Sequence, residues 1–424
     1  MTGAAEGDVM KTINEALHIP VDRLLAEAKD KYNRKSLTPS FNLEKSSLVK
    51  KIRNERQMQK ILFQIRKDLE PYDAILKNKK RKQAASRETI DEILFILTIH
   101  LKAIHEKRLL FDDLLIPFVL DHGFFDRVIQ LFVKANKEDP ELTEENLIQA
   151  LRHIVIMNVL QLYVGKEPDL SPEVYAFGLL YPYEDNYLDD PDVSLEEKKA
   201  FNNWLELLLN GEHVLPTGTV ENKLVDFVHL IESTFEVDER KLIFESISLV
   251  HESQMKSLNQ LTNHSLIEEE ILSISFLKGG STVLADMYLI KRRSELEDRQ
   301  FAFELGTYLQ LIDDLQDMKE DAHDGIQTLF TLINKPEHKD EDIKKLLSFI
   351  FKVNQKETTD TSIQAQTKEV LSYGMLILIM DAVGQNPDTV SKSLYKELES
   401  YSKVRLSFYK KLWLEMEMLL GLNK

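Results

Sequence analysis

The sequence predicts an all-α protein, and three observations carry that prediction. Glycine (14) and proline (12) make up only 26 of 424 residues, about half the usual share, which leaves few positions for tight turns and bulges. Apolar residues recur at three- and four-residue spacing, as in Ile90, Ile93, Leu94 and Leu97 or in Leu242, Ile243, Ile247 and Val250. That is the period of a half-buried helix. Runs of strict apolar and polar alternation, the mark of strands, are nearly absent. Roughly a dozen helices are expected, most of about 15 to 30 residues against a usual mean of about 11 to 12. No internal repeat of fixed period points to a solenoid, so a bundle is the expected architecture.

The chain opens with a basic region. Met1 to Lys82 holds 19 Lys and Arg against 11 Asp and Glu, a net +8 in a chain whose total is −17, so the remainder carries −25. Residues 1–86 are expected as an N-terminal helical extension, closing on Lys77, Lys79, Lys80, Arg81 and Lys82. This run reads either as a solvated helix end or as a contact for a membrane surface or other anionic partner. A helix is capped at Ser86 or Arg87, and 87–424 is expected to form one helical domain. Thr143 with Glu145 opens a helix after Pro140, and an apolar segment runs from about Pro172 toward Asp190. Ser194 with Glu197 forms a capping box, and Gly384 with Pro387 is expected to separate the last two helices.

Composition excludes several chemistries. With no cysteine, the chain offers no disulfide scaffold, thiolate nucleophile, cysteine-type zinc site or iron-sulfur ligand. The acidic excess argues against nucleic acid as a partner. No apolar run reaches the roughly 18 residues of a spanning helix. The start carries Glu6 and Asp8 in place of a basic, then apolar, leader. A soluble, cytoplasmic protein is expected.

Two acidic constellations stand out. The first is Tyr183-Glu184-Asp185-Asn186-Tyr187-Leu188-Asp189-Asp190. On a helix Asp185 and Asp189 lie one turn apart and about 40° apart around the axis, so both reach toward one oxygen-loving cation. The alternative is a solvated acidic helix end, although carboxylates there oppose the macrodipole. In the second, Gly306, Gln310, Asp313, Asp314, Asp317 and Asp321 fall at about 0, 40, 340, 80, 20 and 60°, one arc of about 100°. Leu305, Leu309, Ile312 and Leu315 pack nearby, so the stripe adjoins an apolar face. Its carboxylates repel one another unless a divalent cation joins them, and Mg²⁺ suits hard oxygen donors best. An exposed charged face is the plain alternative.

On these residues the chain resembles the class I isoprenoid synthases, the all-α superfamily of trans-prenyl diphosphate synthases, squalene and phytoene synthases and terpene cyclases. The resemblance covers about Thr143 to Phe330. Gly306-x-x-x-Gln310-x-x-Asp313-Asp314-x-x-Asp317 is similar to the family's second aspartate-rich motif, and Asp185-Asn186-Tyr187-Leu188-Asp189 to the first with Asn at its second position. Ile271 to Gly280 resembles the segment whose Lys, here Lys278, contacts diphosphate, and His251-x-x-Gln254 the helix before it. The resemblance implies a bundle around a central cavity, a prenyl diphosphate substrate and three Mg²⁺ ions. It implies Asp185, Asp189, Asp313 and Asp317 as catalytic. Asp190, Asp314 and Asp321 join these four as metal ligands. Lys278, Gln310, Lys319 and Arg405 are the candidates for holding substrate, with Arg292 a weaker one.

Two departures bear on the reaction. Pro191 to Lys199 holds no arginine pair and no basic element stands upstream, which speaks against a second diphosphate site. Asp313-Asp314-x-x-Asp317-x-x-x-Asp321 also fits the cyclase triad pattern with Asp at each variable place. The expected function is therefore a terpene synthase-like lyase that ionises one prenyl diphosphate, releases pyrophosphate and cyclises the carbocation. Tyr181, Tyr187, Phe276, Phe303 and Tyr308 are candidates for shielding that cation. The alternatives are a prenyltransferase, chain-elongating or head-to-head, and a non-catalytic helical interaction protein. A homodimer is compatible with either enzyme.

Overall fold

The computed structural model describes residues 19–34, 44–76, 86–110, 114–139, 142–190, 192–261, 265–332, 336–356 and 359–420. Eighteen α-helices and no strand are found among them. The first nine are α1 (Val21–Asn33), α2 (Leu48–Leu69), α3 (Asp73–Leu76), α4 (Arg87–Glu106), α5 (Leu115–Asp121), α6 (Phe124–Glu138), α7 (Glu144–Tyr163), α8 (Pro172–Asp189) and α9 (Leu195–Leu209). The rest are α10 (Thr219–Thr234), α11 (Val237–Ser257), α12 (Glu268–Ile290), α13 (Leu296–Gln316), α14 (Met318–Asp324), α15 (Pro336–Val353), α16 (Ile363–Gln385), α17 (Lys392–Tyr401) and α18 (Leu406–Leu420). The architecture is the expected all-α bundle, with more helices than the dozen anticipated because short ones such as α3, α5 and α14 carry too few turns to show a period.

The caps read from the sequence form. Ser86 Oγ accepts from the Thr89 amide at 3.2 Å and Thr143 Oγ1 from the Asn146 amide at 3.1 Å. Ser194 and Glu197 exchange both bonds of a capping box, at 3.3 and 2.9 Å. Gly384 differs. It lies inside α16, and a Cβ there would run into the carbonyl of Leu406. Its role is close approach of α18, not termination, and two further helices follow it.

The centre of the bundle is the antiparallel pair α12 and α13, with α11, α7, α8, α15, α16 and α1 around it. Nearly every residue of α12 from Gly279 to Ile290 is buried, as expected of a helix surrounded on all sides. Gly279 and Gly306 meet backbone to backbone where α12 crosses α13: a Cβ on either would collide with the carbonyl of the other. Gly280 lies against the ring of Phe303.

The basic N-terminal segment contributes two helices to this same core. From α1, Leu24, Ala28 and Tyr32 are buried, and Lys31 pairs with buried Glu304 of α13 at 2.5 Å. Tyr32 stands edge-on to Phe276 and Phe349, with ring centres 5.6 and 5.8 Å away. Helix α2 docks against α4 and α18, with Asn54 Nδ2 donating to the Lys403 carbonyl at 2.9 Å. The run Lys77 to Lys82 lies outside the described residues. No helix among the described residues is long and apolar enough to cross a membrane.

Candidate functional site

The second acidic constellation closes α13. Asp314 is buried, and its two carboxylate oxygens accept from Ser275 Oγ of α12 and Gln310 Nε2, each at 2.9 Å. Asp317 ends α13 and leads into α14, which carries Asp321. Burial pushes the Asp314 and Asp317 carboxyls up to about 6, with Asp313 adding to both. Asp321 is pushed to about 7, by burial first and then by Asp314, Asp317 and Asp313. Asp313 is reached by water, yet enough protein crowds it that burial raises its carboxyl too, against the pull of Lys278 and Arg152. Asp313 thus acts on all three of the others, although the single helix face expected from Gly306 to Asp321 is interrupted at Asp317, which puts Asp321 on α14.

Two cations act on these carboxyls. Lys278, half-buried on α12, and Arg152, exposed on α7, each oppose the upward shifts of Asp313 and Asp317. Neither side chain has a hydrogen bond or ion pair among the described residues. Lys278 was expected here. Arg152 was not: it stands 161 positions before Asp313 in a segment with no motif, and only the packing of α7 on α12 brings it close.

The first constellation closes α8 and is tied to α11. Gln254 Nε2 donates to Asp185 Oδ1 at 2.8 Å. Next to it, buried Glu184 meets His251 Nδ1 at 2.6 Å. Burial pulls the His251 imidazole down, but the Glu184 carboxylate outweighs it and the net shift is upward. Asn186 Nδ2 donates to Gln149 at 2.9 Å. Asp190 is exposed, and its Oδ1 accepts from the Asp192 amide at 2.8 Å, which closes a local turn. Asp189 ends the helix, and its side chain lies outside the described residues.

Both constellations sit at the same end of the bundle. Gln254 joins the C-terminal ends of α8 and α11, while Ser275 joins the first half of α12 to the C-terminal end of α13. Three helix C-termini therefore add their partial negative charge to the aspartates. Such an end repels anions and favours cations. Among the described residues no group of three or more His, Asp or Glu side chains is gathered to hold a metal ion.

Several expected site residues have partners within the protein. Gln310 is committed to Asp314. Arg405 donates to Glu55 of α2 at 2.9 and 2.6 Å, a structural tie between the two chain ends. Arg292 pairs with Glu239 at 3.2 Å. Lys319 is exposed on α14. Phe276, Phe303 and Tyr308 are fully buried, packed as core; Phe276 and Tyr308 share Phe349 as a ring neighbour, and the Tyr308 hydroxyl accepts from Asn354 at 3.3 Å. Tyr181 and Tyr187 are half-buried. One buried pair has no motif at all: His153 Nε2 meets Asp286 Oδ1 at 2.8 Å, with Tyr181 edge-on to the imidazole.

No protein-family model matches the sequence, and no curated protein matches it. Among solved structures, a geranyltransferase from Legionella pneumophila is similar at a TM-score of 0.38 and 13% identity, over 60% of this chain and 96% of that one. A geranylgeranyl pyrophosphate synthase is similar at a TM-score of 0.33 and 14% identity, over 75% of this chain and 98% of that one. These are weak structural similarities at low identity, and they concern the all-α fold alone.

Proposed function

We propose that this chain is an isoprenoid-synthase-type enzyme that binds the diphosphate of an allylic prenyl diphosphate at the acidic end of its bundle and assists departure of pyrophosphate. One observation carries this: Asp313, Asp314, Asp317 and Asp321 are each held above the ordinary carboxylate range, by burial first, Asp313 raises the other three, and Lys278 and Arg152, whose side chains make no ion pair among the described residues, oppose the shifts of Asp313 and Asp317. A hard divalent cation relieves that repulsion. Mg²⁺ takes one or two carboxylates per ion and completes its shell with water and phosphate oxygens, so the oxygen donors fit it without three carboxylates gathered beforehand. Asp313, Asp317 and Asp321 would hold it on this wall, and Asp185 and Asp189 on the other. When bound, Mg²⁺ supplies Lewis-acid stabilisation of charge on the leaving pyrophosphate.

The chain's own residues do the rest. Lys278 and Arg152 donate to diphosphate oxygens that the carboxylates alone would repel. Ser275 and Gln310 keep Asp314 in place, and Gln254 keeps Asp185. The apolar interior beneath excludes water from the carbocation. Prenyl transfer comes first as the fate of that cation, because Arg152 beside Lys278 offers more positive charge for diphosphate than the sequence alone indicated. Cyclisation is second, favoured by the absence of an arginine pair between Pro191 and Lys199.

Incubation with C10 to C25 prenyl diphosphates and Mg²⁺, followed by mass analysis of products, tests both. Pyrophosphate release is expected to require Mg²⁺ and to fall about 100-fold or more in Asp313→Ala, the size of effect seen when a transition-state charge stabiliser is lost. Longer products mean transfer; products of unchanged carbon number mean cyclisation. No Mg²⁺ or diphosphate binding by calorimetry would leave a non-catalytic helical protein.

A further inference from the structure

We propose that the exposed face of α2 docks on an anionic lipid bilayer. Val49, Arg53, Arg56, Lys60, Phe63 and Lys67 follow one another at four- and three-residue steps, which places all six within an arc of about 80° along about 27 Å of helix. All six are exposed, Val49 and Phe63 at 79% and 69%. Arg53, Arg56, Lys60 and Lys67 make no ion pair among the described residues. Between Val49 and Lys67 the one carboxylate, Glu55, is buried and turned to Arg405. From Val49 to Phe63 the face is basic and apolar, and carboxylates, Asp68, Glu70 and Asp73, come in only at its C-terminal end beside Lys67.

The buried side of the helix fixes this face in place. Met58, Ile61, Leu62 and Ile65 are buried, and Arg66 reaches Glu415 of α18 at 2.5 Å. Phe63 shares a hollow with Met418 of α18 beside Arg66 and Lys67, so apolar surface continues onto the neighbouring helix. The stripe is presented by a rigid element and needs no ordering on contact.

Charge and chemistry select the occupant. A body of −25 is repelled by a polyanion, whereas this face, with four cations on one stripe, is attracted to an anionic surface. A nucleic acid would meet the four cations but leave Val49 and Phe63 without an apolar phase. A bilayer takes both, with Lys and Arg among the headgroups and the apolar side chains at the acyl boundary.

The test is co-sedimentation of the full chain with vesicles of phosphatidylcholine alone and of phosphatidylcholine mixed with phosphatidylserine. Binding to the mixed vesicles, weak binding to the neutral ones and loss with added salt are expected. The triple variant Arg53→Gln, Arg56→Gln, Lys60→Gln should partition roughly 100-fold more weakly, and Phe63→Ser several-fold more weakly with the salt dependence kept. These side chains are exposed, so circular dichroism and melting should not change. Equal binding to neutral vesicles, or full binding by the triple variant, would overturn the proposal. So would tighter capture of duplex DNA or polyglutamate than of vesicles, or a salt-sensitive dimer formed without lipid, which would give the face to a second copy of the chain. No residue of the stripe belongs to the catalytic proposal, so pyrophosphate release measured in parallel succeeds or fails independently.

Discussion

A carboxyl pushed up to about 7, as at Asp321, is half-protonated near neutrality, and that has a measurable sign. In the unfolded chain aspartates titrate near 3.9. Between about pH 4 and 7 the folded chain therefore keeps protons on Asp314, Asp317 and Asp321 that the unfolded chain has lost. The folded state binds more protons, so stability is present below this window and falls as pH rises through it. His251, also shifted upward, acts in the same direction. Without divalent cations the melting temperature should be several degrees lower at pH 8 than at pH 5, and Mg²⁺ should raise it at pH 8 far more than at pH 5. A flat profile, or an equal Mg²⁺ effect at both values, would count against four coupled carboxylates. The stripe itself was legible as helical periodicity. Arg152 was not, because a lone arginine on an amphipathic helix carries no local mark of what it will face.

Among the elements, the crossing of α12 and α13 sets the spacing between Ser275 and Asp314 and between Lys278 and Asp313. Gly306→Ala should force the two backbones apart and destabilise the fold by about 3 kcal/mol, since overpacking exceeds the roughly 1 kcal/mol of helix propensity that alanine restores. Gly374 in α16 is the control. A Cβ there meets nothing within 4 Å, so Gly374→Ala should stabilise by about 0.5 to 1 kcal/mol. Denaturant unfolding of both variants gives the comparison, and opposite signs are required. Sequence alone separates such glycines poorly. Gly384 near Pro387 carries the usual mark of a helix end, yet its reason for being glycine is the Leu406 carbonyl 22 positions later. The caps at Ser86, Thr143 and Ser194 were legible because their bonds span only three residues.

In the molecule as a whole, the N-terminal region expected as an extension is tied to the bundle by contacts far apart in sequence. Lys31 meets Glu304 across 273 positions and Glu55 meets Arg405 across 350. Lys31→Ala leaves Glu304 buried without its cation and should cost about 3 kcal/mol, read by chemical denaturation, while Lys31→Arg should recover most of it. A chain begun at residue 87 should lose cooperative melting and bind hydrophobic dyes; a sharp transition would restore the N-terminal region to the status of an extension. These end-to-end ties also set a clock for synthesis. Translation at about 5 to 20 residues per second puts roughly 20 to 70 s between the emergence of Glu55 and that of Arg405. Through that interval the inner face of α2, with Met58, Ile61, Leu62 and Ile65, has α4 to pack on but not yet α18. Nascent chains stalled before α18 therefore leave uncovered the part of that face which α18 closes.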